Sequence, residues 1–82
     1  MNVSGIEIKG LTADSRLVKS GYLFAALDSE KALGSAYIPN AIENGASVIL
    51  GKKEYAKFVQ NIPFIVAENP NKKFAELAKE QS

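Results

Sequence analysis

The residues with the greatest chemical potential stand together in Thr12-Ala13-Asp14-Ser15-Arg16. Five positions there hold a carboxylate, two hydroxyls and the chain's single arginine. Asp and Ser side chains hydrogen-bond nearby backbone N–H groups, so the run reads as a tight turn. A hydroxyl in such a turn can donate to a phosphate or ribose oxygen, and the backbone around Ala13 can read the edge of a base. By residue type alone the plainer use comes first: Asp14 and Ser15 close the turn, and Arg16 pairs with a carboxylate.

Other chemistries find less support. Gly51-Lys52-Lys53 has the look of the end of a phosphate loop, but the partner glycine would fall at Ala46 and Lys53 is neither Ser nor Thr. Lys52 and Lys53 therefore read as solvated. Asp14, Asp28 and Glu30 are scattered over two loops and give no carboxylate pair. The 82 residues include no cysteine and no histidine, which removes disulfides, thiol catalysis, imidazole acid–base chemistry and the usual zinc ligands. With 10 basic and 9 acidic side chains the net charge is +1, and no basic field invites nucleic acid. No apolar run reaches the ~20 residues that span a bilayer. The N-terminal residues lack a basic region followed by an apolar core. The expectation is one small cytoplasmic domain, with no membrane and no nucleic acid among its partners, whose chain ends as an excised domain would.

The elements that must hold the turn follow from patterning. Gly5–Gly10 alternates apolar and polar residues, a half-exposed strand. Tyr22–Leu27 is apolar at every position, a strand buried on both faces. Asp28–Ser35 is a loop, and Ser35 caps a helix over 36–44 with Pro39 in its first turn. Tyr37, Ile38, Ala41 and Ile42 are its inward side, and Gly45 its C-terminal cap. Ala46–Gly51 is a second buried strand. Tyr55, Phe58 and Val59 set a helix over 52–60, and Pro63–Ala67 a further strand. Asn69-Pro70 opens the last helix, with Phe74, Leu77 and Ala78 inward. The order β-β-α-β-α-β-α predicts an α/β fold: a small, mostly parallel sheet flanked by helices.

The stretch GLTADSRLVKSGYLFAAL, Gly10 to Leu27, resembles the DSR-x-V-x-x-G-x-LF-x-A signature that opens the Mur ligases of peptidoglycan synthesis. The likeness continues through Tyr37–Leu50 and Pro63–Ala78, so it covers most of the chain in order. It is greatest to the type that adds the third residue of the stem peptide, the UDP-N-acetylmuramoyl-tripeptide synthetases. The type that adds D-alanyl-D-alanine shares DSR and LF-x-AL. The TADSR opening and Glu68-Asn69-Pro70 favour the former.

The resemblance implies the family's N-terminal, substrate-binding domain, without the central ATPase and C-terminal domains. Its partner would be UDP-N-acetylmuramoyl-L-alanyl-D-glutamate. No cofactor is expected in this chain, and ATP and magnesium belong to the full-length parent. The family's UDP-sugar contacts map onto Ala13 and Ser15, with Asp14, Arg16 and Gly34 in support. Counting back from Tyr37-Ile38-Pro39, a second, largely backbone contact falls on Glu30, Lys31 and Ala32. Ser29 and Leu33 stand where that family usually has Gly and Asp. They are the best support for a different reading, a non-catalytic interaction module that kept the fold and lost the nucleotide.

Overall fold

The structure is a computed structural model that describes residues 1–82. An antiparallel hairpin comes first, β1 (Asn2–Val3) paired with β2 (Ile6–Glu7). Ser4 and Gly5 connect them at φ 51° and 83°. Positive φ at both central positions suits the right-handed twist of a two-residue hairpin. The single strand expected over Gly5–Gly10 is thereby divided: Gly5 is turn, and Gly10 begins the next strand. Alternation by itself did not reveal that Ser4-Gly5 would reverse the chain.

Four strands then form one parallel sheet in chain order: β3 (Gly10–Thr12), β4 (Tyr22–Ala25), β5 (Val48–Gly51) and β6 (Phe64–Val66). Leu23 pairs with Val48, Phe24 with Ile49 and Ala25 with Leu50. Because side chains alternate across a strand, this register sorts the core onto two faces. Phe24, Ala26 and Ile49 look one way, onto Val18, Ile38, Ala41 and Tyr55. Leu23, Ala25, Val48 and Leu50 look the other way, onto Val3, Ile8 and Leu77. The two-sided burial expected of these strands is what the structure shows.

One face is covered by α1 (Ile38–Glu43) and the other by α2 (Pro70–Gln81) together with the hairpin. Asn69 caps α2, its side chain accepting from the Lys72 N–H at 3.2 Å. Two helices differ from expectation. The first begins as a 3₁₀ turn over Gly34–Tyr37, so Ser35 lies inside that turn and caps nothing. Tyr37 rotates outward and is 48% exposed, while Ile38 and Ala41 are fully buried. The second is a 3₁₀ segment over Lys53–Phe58, not an α-helix. Within it Tyr55 is buried, while Phe58 stays 52% exposed. Gly45 sits at φ 107° with Ser20 backbone 2.9 Å from where a Cβ would stand. Only glycine ends α1 there without a clash.

Phe24 is the largest of the fully buried side chains. Phe24→Ala is expected to cost ~3–5 kcal/mol through lost contacts and a cavity. In a domain this small that removes most of the stability. Chemical denaturation checks it, and an unshifted transition would contradict the two-sided core.

Candidate functional site

In a parallel sheet every strand points the same way, and ligands gather beyond the strands' C-terminal ends. Here that edge carries Ala13–Arg16 after β3, Asp28–Gly34 after β4 and Lys52–Phe58 after β5. Strands β3 and β4 are neighbours, so their exit loops are neighbours too.

The first loop is built almost wholly from its own side chains. Thr12 Oγ1 accepts from the Asp14 N–H at 3.0 Å. Asp14 Oδ1 accepts from the Arg16 N–H and from Arg16 Nε, each at 3.0 Å, and Oδ2 accepts from Nη2 at 2.8 Å. Asp14 therefore caps the 3₁₀ turn Ser15–Leu17 and holds the guanidinium in a fork. The Arg16 guanidinium keeps the Asp14 carboxyl below the usual carboxylate range, and Asp14 in turn raises Arg16. Arg16 remains open to solvent. From the neighbouring helix end, Asn44 Nδ2 donates to the Ser15 carbonyl at 2.9 Å and ties this turn to α1.

Ser15 is the exception in a self-satisfied turn. It is 5% exposed and the one polar side chain among the buried residues. Its hydroxyl donates to no group of the chain, and no buried polar side-chain atom is sealed off without a partner. Its Oγ therefore opens onto the hollow it lines, a groove of about 570 Å³ bounded by Ala13, Asp14, Ser15, Arg16, Tyr37 and Asn40. A hydroxyl held at the base of a concavity, with a phenol ring at the wall and a guanidinium beside it, suits a polar, anionic or aromatic ligand.

Tyr37 and Asn40 were not singled out from sequence. Tyr37 reads as an inward helix position, and only the 3₁₀ start of α1 turns it to this wall. Of the residues expected from sequence, Ala13, Asp14, Ser15 and Arg16 come together in the groove. Glu30, Lys31 and Ala32 do not line it; they stand in the adjacent exit loop. Gly34 is buried against β4's end, where a Cβ would meet the Ala26 carbonyl carbon at 2.3 Å.

That second loop has its own framework. Ser29 Oγ accepts from the Lys31 and Ala32 N–H groups at 3.3 and 3.2 Å, and the Ser29 N–H donates to the Ala32 carbonyl at 2.9 Å. Asp28 Oδ1 accepts from the Gly34 N–H at 2.8 Å and from the Tyr55 hydroxyl, while Oδ2 lies 2.9 Å from Lys52 Nζ. The Lys52 ammonium is also 4.8 Å from the centre of the Tyr55 ring. Lys52, expected to be solvated, is thus paired. No sequence signal links Asp28 to residues 24 and 27 positions downstream.

The Tyr55 hydroxyl, then Lys52 and the Gly34 N–H, hold Asp28 at a pKa of about 2 against the ordinary 3.8. A carboxyl depressed on folding stabilises the folded state above its unfolded pKa, and that contribution fades as the pH falls through the folded value. Wild type and Asp28→Asn should therefore differ in Tm at pH 5 and converge between pH 4 and 2. Parallel thermal melts would show it. For Gly34→Ala, the backbone clash predicts a loss of stability at any pH, read by the same melts.

Residues 7–81 match the family model for the Mur ligase family, catalytic domain. The UDP-N-acetylmuramoyl-L-alanyl-D-glutamate--2,6-diaminopimelate ligase of Bacteroides fragilis is 43% identical over 60 residues, which is 73% of this chain and 12% of that protein. The ligase of the same name from Bacteroides thetaiotaomicron is 39% identical over 75 residues, 92% of this chain and 16% of that protein. The crystal structure of MurF ligase from Thermotoga maritima in complex with ADP superimposes with a TM-score of 0.74 at 24% identity, over 96% of this chain and 18% of that one, a likeness of fold. The chain thus spans under a fifth of the length of these proteins. With its match running from residue 7 to residue 81, it belongs to the Mur ligase family.

Proposed function

We propose that this chain is a substrate-binding domain of an ATP-dependent ligase of peptidoglycan synthesis, and that it grips the UDP end of UDP-N-acetylmuramoyl-L-alanyl-D-glutamate. The observation that carries the reading is Ser15: a largely buried residue whose hydroxyl, unused by the protein, opens onto a groove at the strand-end edge of a parallel sheet. Ser15 and the backbone of Ala13 meet the UDP-sugar there. Glu30, Lys31 and Ala32 approach from the adjacent loop through backbone groups, with Asp14, Arg16 and Gly34 as scaffold. Anchoring a remote nucleotide handle supplies binding energy that positions a reacting carboxylate elsewhere in the enzyme.

The amide-forming chemistry is assigned to the parent protein. This chain has no G-x-x-x-x-G-K-[ST] run. The curated relatives named above join 2,6-diaminopimelate, and we extend that third amino acid to the parent. No helix is long and apolar enough to cross a membrane. Assignment to the cytoplasm follows from the nature of the substrate. The D-alanyl-D-alanine-adding role is the weaker alternative, since the MurF likeness is one of fold while the diaminopimelate ligases share 43% and 39% identity. The interaction-module reading stands as the second alternative: Ser29 takes up the Lys31 and Ala32 N–H groups, which leaves two fewer backbone donors for a nucleotide.

Ser15→Ala is expected to weaken binding of the UDP-sugar by about 1 kcal/mol, the worth of one hydrogen bond, with the fold intact. Titration followed by backbone amide NMR measures it. Unchanged spectra of the wild type at millimolar ligand would defeat the reading, and an unfolded Ser15→Ala would make Ser15 a structural residue.

A further inference from the structure

The groove at Ser15 has a second wall, which the Asp14-Ser15-Arg16 signature does not supply. Tyr37 directly precedes α1 and Asn40 lies in its first turn, one turn of chain further on, and both line the groove. Both residues are exposed. The side-chain hydrogen bonds around the groove run between Asp14 and Arg16 and from Asn44 to the Ser15 carbonyl, and they engage neither Tyr37 nor Asn40.

What the groove offers a ligand follows by subtraction. Its one carboxylate, Asp14, has both oxygens occupied by Arg16. Arg16 spends Nε and Nη2 on that fork and keeps Nη1. The Ser15 hydroxyl, the Tyr37 hydroxyl and the Asn40 amide are unspent, and each of them can donate. Donors that converge on one concavity beside a guanidinium match an anion rich in acceptor oxygens, as a phosphate is. The Arg16 charge is offset by Asp14, so the neutral donors carry more of the contact than they would beside an unpaired arginine.

We infer that Tyr37 and Asn40 are specificity-determining residues that donate to the phosphate oxygens of the substrate's diphosphate from the α1 wall of the groove. This rests on the substrate reading above and extends it to side chains outside the signature. Their element is rigid where they need it to be. Ile38 and Ala41 of α1 are fully buried, and Asn44 ties the end of α1 to the Ser15 turn at 2.9 Å. The two walls are therefore held together before a ligand arrives, which lowers the ordering cost of binding.

The test titrates the protein with uridine, UDP and inorganic diphosphate, followed by amide NMR. The wild type is expected to bind UDP more tightly than uridine, with shifts at residues 13–16 and 37–40. Tyr37→Phe removes a hydroxyl and keeps the ring. It should weaken UDP about fivefold, the worth of one ordinary hydrogen bond, and leave uridine unchanged. Asn40→Asp sets a negative charge against the anion, so it should weaken UDP by about tenfold or more and again spare uridine. An acidic residue is favourable in the first turn of a helix, so this variant keeps its fold. A merely structural role would weaken uridine and UDP alike, and that result overturns the inference. So does a wild type that binds UDP no tighter than uridine, or variants with undiminished UDP affinity. The substrate reading fails differently: UDP then binds no tighter than inorganic diphosphate, and the anion contact stands if the two variants weaken both. If the wild type binds none of the three, both fall.

Discussion

Strands β4 and β5 run side by side with both faces withdrawn from water, and Leu23, Val48, Ile49 and Leu50 are wholly buried. A parallel pair in that position has to be roofed on each side, because either exposed face would present a continuous apolar surface. The roofs are α1 with the Lys53–Phe58 segment on one side, and α2 with the N-terminal hairpin on the other. Burial of this ladder is the largest favourable term available to so short a chain. The remaining elements sit where they do because they complete it.

That constraint also creates the site. Chain leaving β3, β4 and β5 emerges at one edge, where helices cover the faces but not the strand ends. The backbone there is not consumed by the ladder, so polar side chains must organise it. Asp14 and Asn44 do so for the first exit loop, and Asp28 and Ser29 for the second. The two carboxylates work in parallel. Each accepts backbone N–H and holds one cation, and each has its pKa lowered by the groups it organises. Ser15 is left over from this internal bonding, which is why it is the group that can be offered to a ligand.

The family signature acquires a physical meaning in this light. In Asp14-Ser15-Arg16, the outer pair is a closed fork that builds the turn, and the middle residue is the one with unused hydrogen-bonding capacity. Arg16 faces solvent while committed to Asp14, so its part is scaffold as much as contact. In this chain the motif can therefore be read as a device for presenting one hydroxyl.

Short-range chemistry was legible in the sequence. Unbroken apolar runs named β4 and β5, Asn69-Pro70 named the start of α2, and the hydroxyl-and-carboxylate cluster named the turn that lines the groove. These depend on residues within a few positions of one another, where local sterics and hydrogen bonding decide the outcome. Tertiary packing decided the rest. It turned Tyr37 out to the groove wall by winding Gly34–Tyr37 as 3₁₀, and it tightened Lys53–Phe58 in the same way to bring Tyr55 inward. It also joined Asp28 to Lys52 and Tyr55, because adjacent parallel strands deliver their exits to one edge however much chain intervenes. Such a meeting leaves no periodicity behind in the residues, since it is set by which strands pair and not by what lies between them.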